Sequence, residues 1–215
     1  MRKKLKDLFL ENSINKTYFK NKLYLKDKLR LEKIIKDIYD NLDSKKNTFH
    51  SLSKKFILDF NKINLKKFLK YKTVVVIGMG GSVLGANAIY SFLKHKIEKN
   101  FIFIDNLDQL QIKDIKKKIN LKKNLFIIIS KSGNTIETLI NSNLFKENIN
   151  SQNTIIITKQ KKSLLSVFAK NKKILHINHK DYIGGRYSVL SEVGMIPAYF
   201  MGLKISSFRK NLLFS

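Results

Sequence analysis

The sequence predicts an α/β protein: a doubly wound, five-stranded parallel sheet preceded by a helical N-terminal segment. Three observations carry that prediction. From Thr73 onward, short β-branched runs alternate with helix-like stretches, which is the texture of βαβ units. The runs are apolar at successive positions, as strands covered on both faces are. Glycine is absent before Gly78, and most glycines beyond it fall where a strand should hand over to a helix.

Taken in order, residues 1–70 repeat apolar side chains at helical spacing (Leu25, Leu29, Ile34, Ile35, Ile38, Leu42), so helix is expected across this segment. Strands are expected at 74–77, 101–104, 125–129, 154–157 and 174–177. Helices are expected near 84–93, 111–119, 135–146, 162–169 and 188–203. The sheet domain should span 71–205, with 206–215 read as the start of a C-terminal part that the sequence lacks. Sheets of this kind take ligands beyond the carboxyl ends of their strands, so the loops after the strands are the place to look for function.

Composition narrows the classes. Lys and Arg total 43 against 16 Asp and Glu, a formal charge of +27. Only Arg2, Arg30, Arg186 and Arg209 are arginines, and lysines are spread over nearly every segment. Bidentate arginines and stacking aromatics are what nucleic-acid recognition uses, so the charge reads as solvated lysine faces and no nucleic-acid partner is expected. Without cysteine there is neither a disulfide framework nor a thiol nucleophile. No apolar run reaches the roughly 18 residues of a membrane span, and the start MRKKLKDLFLENS lacks a signal-peptide core. A cytoplasmic protein with no membrane partner is expected.

Three loops carry chemistry. The first, Gly78-Met79-Gly80-Gly81-Ser82-Val83-Leu84-Gly85, runs from strand to helix, so its backbone amides suit an anion and Ser82 adds a hydroxyl. A dinucleotide fingerprint fails here, because Val83 stands where the third glycine belongs. Asp105, at the end of the next strand, is then an ordinary loop carboxylate. The second loop, Ser130-Lys131-Ser132-Gly133-Asn134-Thr135, crowds hydroxyls, a lysine and a glycine at a helix start, which suits a phosphate cradle. The same residues also fit a capped helix, with Ser132 or Asn134 as N-cap and Glu137 closing a capping box; both readings can hold at once. The third, Gly184-Gly185-Arg186-Tyr187-Ser188, presents a guanidinium at a helix opening in a chain poor in arginine.

In this order and on these elements, the three segments resemble the glucose-6-phosphate isomerase family: its Gly-x-Gly-Gly-Ser-x-Leu-Gly loop, its Ser-Lys-Thr/Ser loop with Thr-x-Glu-Thr, and its Gly-Gly-Arg-Tyr/Phe-Ser signature. The resemblance covers about residues 74–202 and implies a sugar isomerase (SIS) domain with a flavodoxin-like sheet. It implies that Gly81 and Ser82 lie at the sugar phosphate, and that Ser130, Lys131, Ser132, Gly133, Asn134 and Thr135 hold the phosphate. Gly185 and Arg186 would stand beside the reacting carbons, with Arg186 offsetting a developing oxyanion. The reaction implied is aldose–ketose isomerisation through an enediol, with no metal and no organic cofactor, in a protein whose longer members are homodimers. Gly133 and Asn134 stand where the family often has Phe-Thr, and Ile136 where glutamine is common.

The family's catalytic glutamate, its ring-opening histidine and a C-terminal lysine lie further along than these 215 residues reach, so the general base is expected to be absent. Glu137 and Glu192 do not match its position. His176 and His179 lack a supporting carboxylate or cysteine set for metal, and His50 and His95 read as surface groups. Two alternatives stay open: a non-catalytic phosphosugar sensor, and a bifunctional glucose/mannose-6-phosphate isomerase suggested by Ser132-Gly133-Asn134-Thr135.

Overall fold

The computed structural model describes residues 21–118, 123–210 and 212. The chain divides into two units, Met1–Asn41 and Leu42–Ser215. In the first, helix α1 spans Asn21–Asp40 and sets Leu31, Ile34, Ile35 and Ile38 on one face.

The second unit holds the sheet. Its strands are β1 (Thr73–Gly78), β2 (Asn100–Ile104), β3 (Asn124–Ile129), β4 (Thr154–Thr158) and β5 (Leu175–Asn178). Every neighbouring pair is parallel, in the order β2-β1-β3-β4-β5. The register aligns Val75 with Phe126, and Ile128 with Ile156. The order reverses between β1 and β3, so the crossovers leave these two strands in opposite directions and open a crevice at their carboxyl ends.

The continuously apolar strand runs resolve into two faces, because successive side chains in a strand point to opposite sides. Val74, Val76, Leu125, Ile127, Ile155 and Ile157 pack with Leu65, Phe68, Tyr90, Val193, Ile196 and Phe200 on one side. Val75, Ile77, Phe126, Ile128 and Ile156 pack with Ile112, Ile115, Phe145, Leu165 and Ala169 on the other. The helices that supply these layers are α3 (Leu84–Leu93), α4 (Gln109–Lys118), α5 (Ile136–Leu144), α6 (Leu164–Asn171) and α7 (Glu192–Phe200), with a short α8 at Ile205–Arg209. The expected end of α4 at Ile119 and residues 211 and 213–215 of the expected C-terminal part lie outside the described residues.

The expected helix across 1–70 is met at α1 and fails at 42–61. There the chain makes a 3-10 turn at Thr48–Leu52 before the five-residue α2, Lys62–Lys66. Polar side chains take over the backbone's partners: Asn47 accepts from the Phe49 amide at 2.9 Å, Asn61 from Ile63 at 2.8 Å, and Ser53 donates to Asp43 at 2.6 Å. Leu42, Phe56, Leu65 and Phe68 are buried without any shared helical period. Residues 1–20 of that expectation lie outside the described residues.

Candidate functional site

The three loops singled out in the sequence all leave carboxyl ends of strands. Two of them touch. A β-carbon built on Gly81 would lie 2.3 Å from the carbonyl carbon and oxygen of Gly185 and 2.8 Å from the Arg186 nitrogen, so only a glycine lets the loop after β1 meet the loop after β5 backbone to backbone. Ser188 staples them, donating toward the Gly185 carbonyl at 2.6 Å and the Gly81 carbonyl at 3.2 Å. Arg186 sits exposed in the 3-10 turn Gly185–Tyr187.

The loop after β3 is a ring of hydroxyls closed by its own backbone. Ser130 and Thr135 hydroxyls are 2.9 Å apart, and those of Ser132 and Thr135 3.3 Å. The Gly133 amide donates to the Ser130 hydroxyl at 3.1 Å, and Gly133 has the left-handed φ of +70° that the turn requires. The Asn134 carboxamide oxygen accepts from the Leu164 amide at 2.9 Å, fastening the loop to α6. Lys131 stands half-buried beside it. Burial, then the charge of Lys159, pushes its ammonium below the ordinary value, with Asp181 opposing; an anion placed here would relieve both.

The helix starts that follow β1 and β3 lack side-chain caps. The sequence expects Ser132 or Asn134 to cap α5, but Thr135 occupies the N-cap and no side chain bonds to the first turn. Asn134 is spent on α6 instead. The start of α3, after the glycines at 80 and 81, likewise has no side-chain cap. The starts of α6 and α7 are closed by contrast: Ser163 and Ser166 form a reciprocal capping box on α6, and Ser191 accepts from Val193 on α7. The two helices that start at the crevice therefore offer uncommitted amides and the positive ends of their dipoles, which is what a phosphate takes.

The sequence missed what stands behind the Arg186 loop. His50, expected at the surface, is 3% exposed: its Nδ1 lies 2.9 Å from the Leu42 carbonyl and its ring packs on Phe56 and Tyr182. Glu192 is fully buried, accepting from Lys180 at 2.8 Å and from the Asp59 amide at 2.7 Å. Arg209 reaches the carbonyls of Ser51, Ser53 and Leu190 at 2.8–3.0 Å. The scarcity of arginine that drew attention to Arg186 applied equally to Arg209. His179 is buried too, bonded through Nδ1 to the Lys180 carbonyl at 3.1 Å. Among the described residues, no three His, Cys, Asp or Glu stand close enough to hold a metal, and no helix is long and apolar enough to cross a membrane.

A doubly wound sheet whose strand-end loops gather hydroxyls, open amides and an arginine defines the class: an α/β domain of the sugar isomerase type. The sequence model described as phosphoglucose isomerase matches residues 1–212. The chain belongs to the phosphoglucose isomerase family. It is 40% identical over 155 residues to the glucose-6-phosphate isomerase of Methanocaldococcus jannaschii, covering 70% of this chain and 38% of that one. With the enzyme of Borreliella burgdorferi it shares 30% over 235 residues, covering 87% and 44%. It thus spans less than half the length of either relative. A crystal structure of a glucose-6-phosphate isomerase from Chlamydia trachomatis superposes with a TM-score of 0.59 and 27% identity, over 70% of this chain and 30% of that one. A hypothetical protein from Thermus thermophilus shares the fold at a TM-score of 0.63 and 23% identity, over 80% and 41%.

Proposed function

We propose that this chain supplies the phosphosugar-binding domain of an isomerase that interconverts glucose 6-phosphate and fructose 6-phosphate, in cytoplasmic sugar metabolism and within a homodimeric complete protein. The observation that carries this reading is the uncapped start of α5 ringed by Ser130, Ser132 and Thr135. The phosphate sits there, with Lys131 as its counter-charge. Gly81 and Ser82 line the sugar, and Arg186 faces the carbons that react.

In the reaction a base removes the proton on C2 of the open-chain aldose. The electron pair forms the C1–C2 double bond while the C1 oxygen takes up a proton, giving an enediol. Loss of the proton from the C2 oxygen and return of a proton to C1 yield the ketose. Negative charge gathers on oxygen along this path, and a guanidinium fixed beside it lowers the barrier. The loops 78–85, 130–135 and 184–188 contain no carboxylate, and Glu192, past the third, is sealed against Lys180 and the Asp59 amide. None of these residues is assigned the role of base, and the chain by itself is expected to bind without turning over.

Calorimetric titration with fructose 6-phosphate and with fructose tests the reading. The phosphorylated sugar should bind and fructose should not, and a coupled assay on the chain should show no isomerisation. Equal affinity for the two sugars would overturn it.

A further inference from the structure

The loop that presents Arg186 is closed at its base by a buried ion pair. Lys180 follows β5 by two residues and Glu192 opens α7, so their 2.8 Å bond ties the two ends of a thirteen-residue excursion into a ring. The Lys180 side chain is 16% exposed and that of Glu192 is 0%. The Glu192 oxygen that holds Lys180 also takes the Asp59 amide, which anchors the ring to the 42–61 segment.

That segment grips the ring again further up. Thr48 accepts from the Gly184 amide at 3.0 Å, Ser51 donates to the Tyr187 carbonyl at 3.4 Å, and the Phe49 ring meets Tyr187 edge-on at 4.9 Å. Arg209 bridges the two, bonding Ser51 and Ser53 on one and Leu190 on the other. Phe56 lies under both cations, 5.1 Å from Lys180 and 4.9 Å from Arg209.

A buried ion pair is a poor way to gain stability, because desolvating two charges offsets most of their attraction and apolar replacements of similar size often do as well. A role that such a pair can serve instead is to fix geometry, because each buried charge is held against its partner. We propose that Lys180 and Glu192 are positioning residues for Arg186. They hold its guanidinium where negative charge develops at C1 and C2, and they leave the phosphate cradle on β3 untouched.

This inference rests on the isomerase reading, and the test separates the two. The probes are 6-phosphogluconate and glucitol 6-phosphate, which share chain length and phosphate and differ in bearing a carboxylate or an alcohol at C1. The ratio of their dissociation constants reports the guanidinium's placement, while glucitol 6-phosphate alone reports the cradle. In R186A the preference for the carboxylate should vanish. In the double variant K180M/E192M it should fall about tenfold, with glucitol 6-phosphate affinity within about twofold of the parent and the melting midpoint unchanged or raised. E192Q keeps the shape of the site, removes the charge, and should lose about threefold of the preference, on the order of a fraction of a charge-assisted bond. If R186A retains the preference, Arg186 does not face C1, and both the reading and the inference fall. If R186A loses it while K180M/E192M or E192Q folds and keeps it, the positioning role alone is wrong.

Discussion

The cradle at 130–135 follows β3 and the arginine loop at 180–192 follows β5, with β4 between them, and the two are built on opposite principles. The cradle's side-chain bonds are nearly all local, joining residues two to five apart; Asn134 and the Gly133 carbonyl tie it to the start of α6, and the Ser130 amide and Lys131 carbonyl tie it to Ile157 and Lys159 at the end of β4. The arginine loop is held from far along the chain, by Thr48, Ser51, Asp59 and Arg209. On the proposed reading the cradle takes the phosphate, the part common to many sugar phosphates, and local sequence suffices to build it. Placing one charge against particular carbons, the role proposed for Arg186, takes a larger share of the fold.

If that contrast holds, the arginine loop should break from a distance. Lys180→Met alone leaves the fully buried Glu192 carboxylate without its counter-ion, and should cost about 3–5 kcal/mol in chemical denaturation. A loss under about 1 kcal/mol would mean that water reaches the pair. Next in size is Gly81→Ala, whose methyl meets the Gly185 backbone at 2.3 Å; separation of the two loops should cost about 2–3 kcal/mol. Gly185→Ala meets nothing nearer than the Gly81 Cα at 3.9 Å and should stay within about 1 kcal/mol of the parent. In the cradle, Thr135→Val removes the partner of both serines. It should cost about 1 kcal/mol of stability and about tenfold in affinity for inorganic phosphate, comparable to one charge-assisted bond.

The smallest effect is a pH dependence. Burial above all, then the charges of Lys131 and Lys159, pushes the His179 imidazole below its ordinary 6.5, against the bond to the Lys180 carbonyl and the Glu192 charge. As pH drops through 6.5 the unfolded chain takes up a proton that folded His179 refuses, so stability falls until the lowered folded value is passed. Denaturation midpoints at about pH 7.5 and 5.5 should therefore differ more in the parent than in His179→Gln. Equal differences would show that the imidazole charges freely in the fold.

The same contrast explains what the sequence disclosed. The strands were legible because a run such as Leu125-Phe126-Ile127-Ile128-Ile129 has no other way to be covered. The three loops were legible because glycine, hydroxyl and arginine choices are local. The capping of α5 was misassigned by one turn of logic: Asn134 is a good N-cap, and its carboxamide serves α6, a helix 30 residues away. His50 sits among Thr48, Ser51, Ser53 and two lysines, which reads as surface until Phe56 and Tyr182 close over it. Glu192 at the first turn of α7 reads as an ordinary complement to the helix dipole. Its burial depends on Lys180, 12 positions earlier, and on Asp59, 133 earlier. Periodicity cannot register a segment such as 42–61, whose partners are bonds to another loop.

The contact between Gly81 and Gly185 is lopsided, and this bears on how the chain drifts over generations. Gly81 is obliged by the backbone opposite it, whatever the protein is used for, whereas the space beside Gly185 is open. Selection on ligand alone can keep that second position bare. Under the proposed function, a lineage released from the reaction should lose Gly185 first and keep Gly81 for as long as it still folds, so the two positions would date a loss of function separately from a loss of structure.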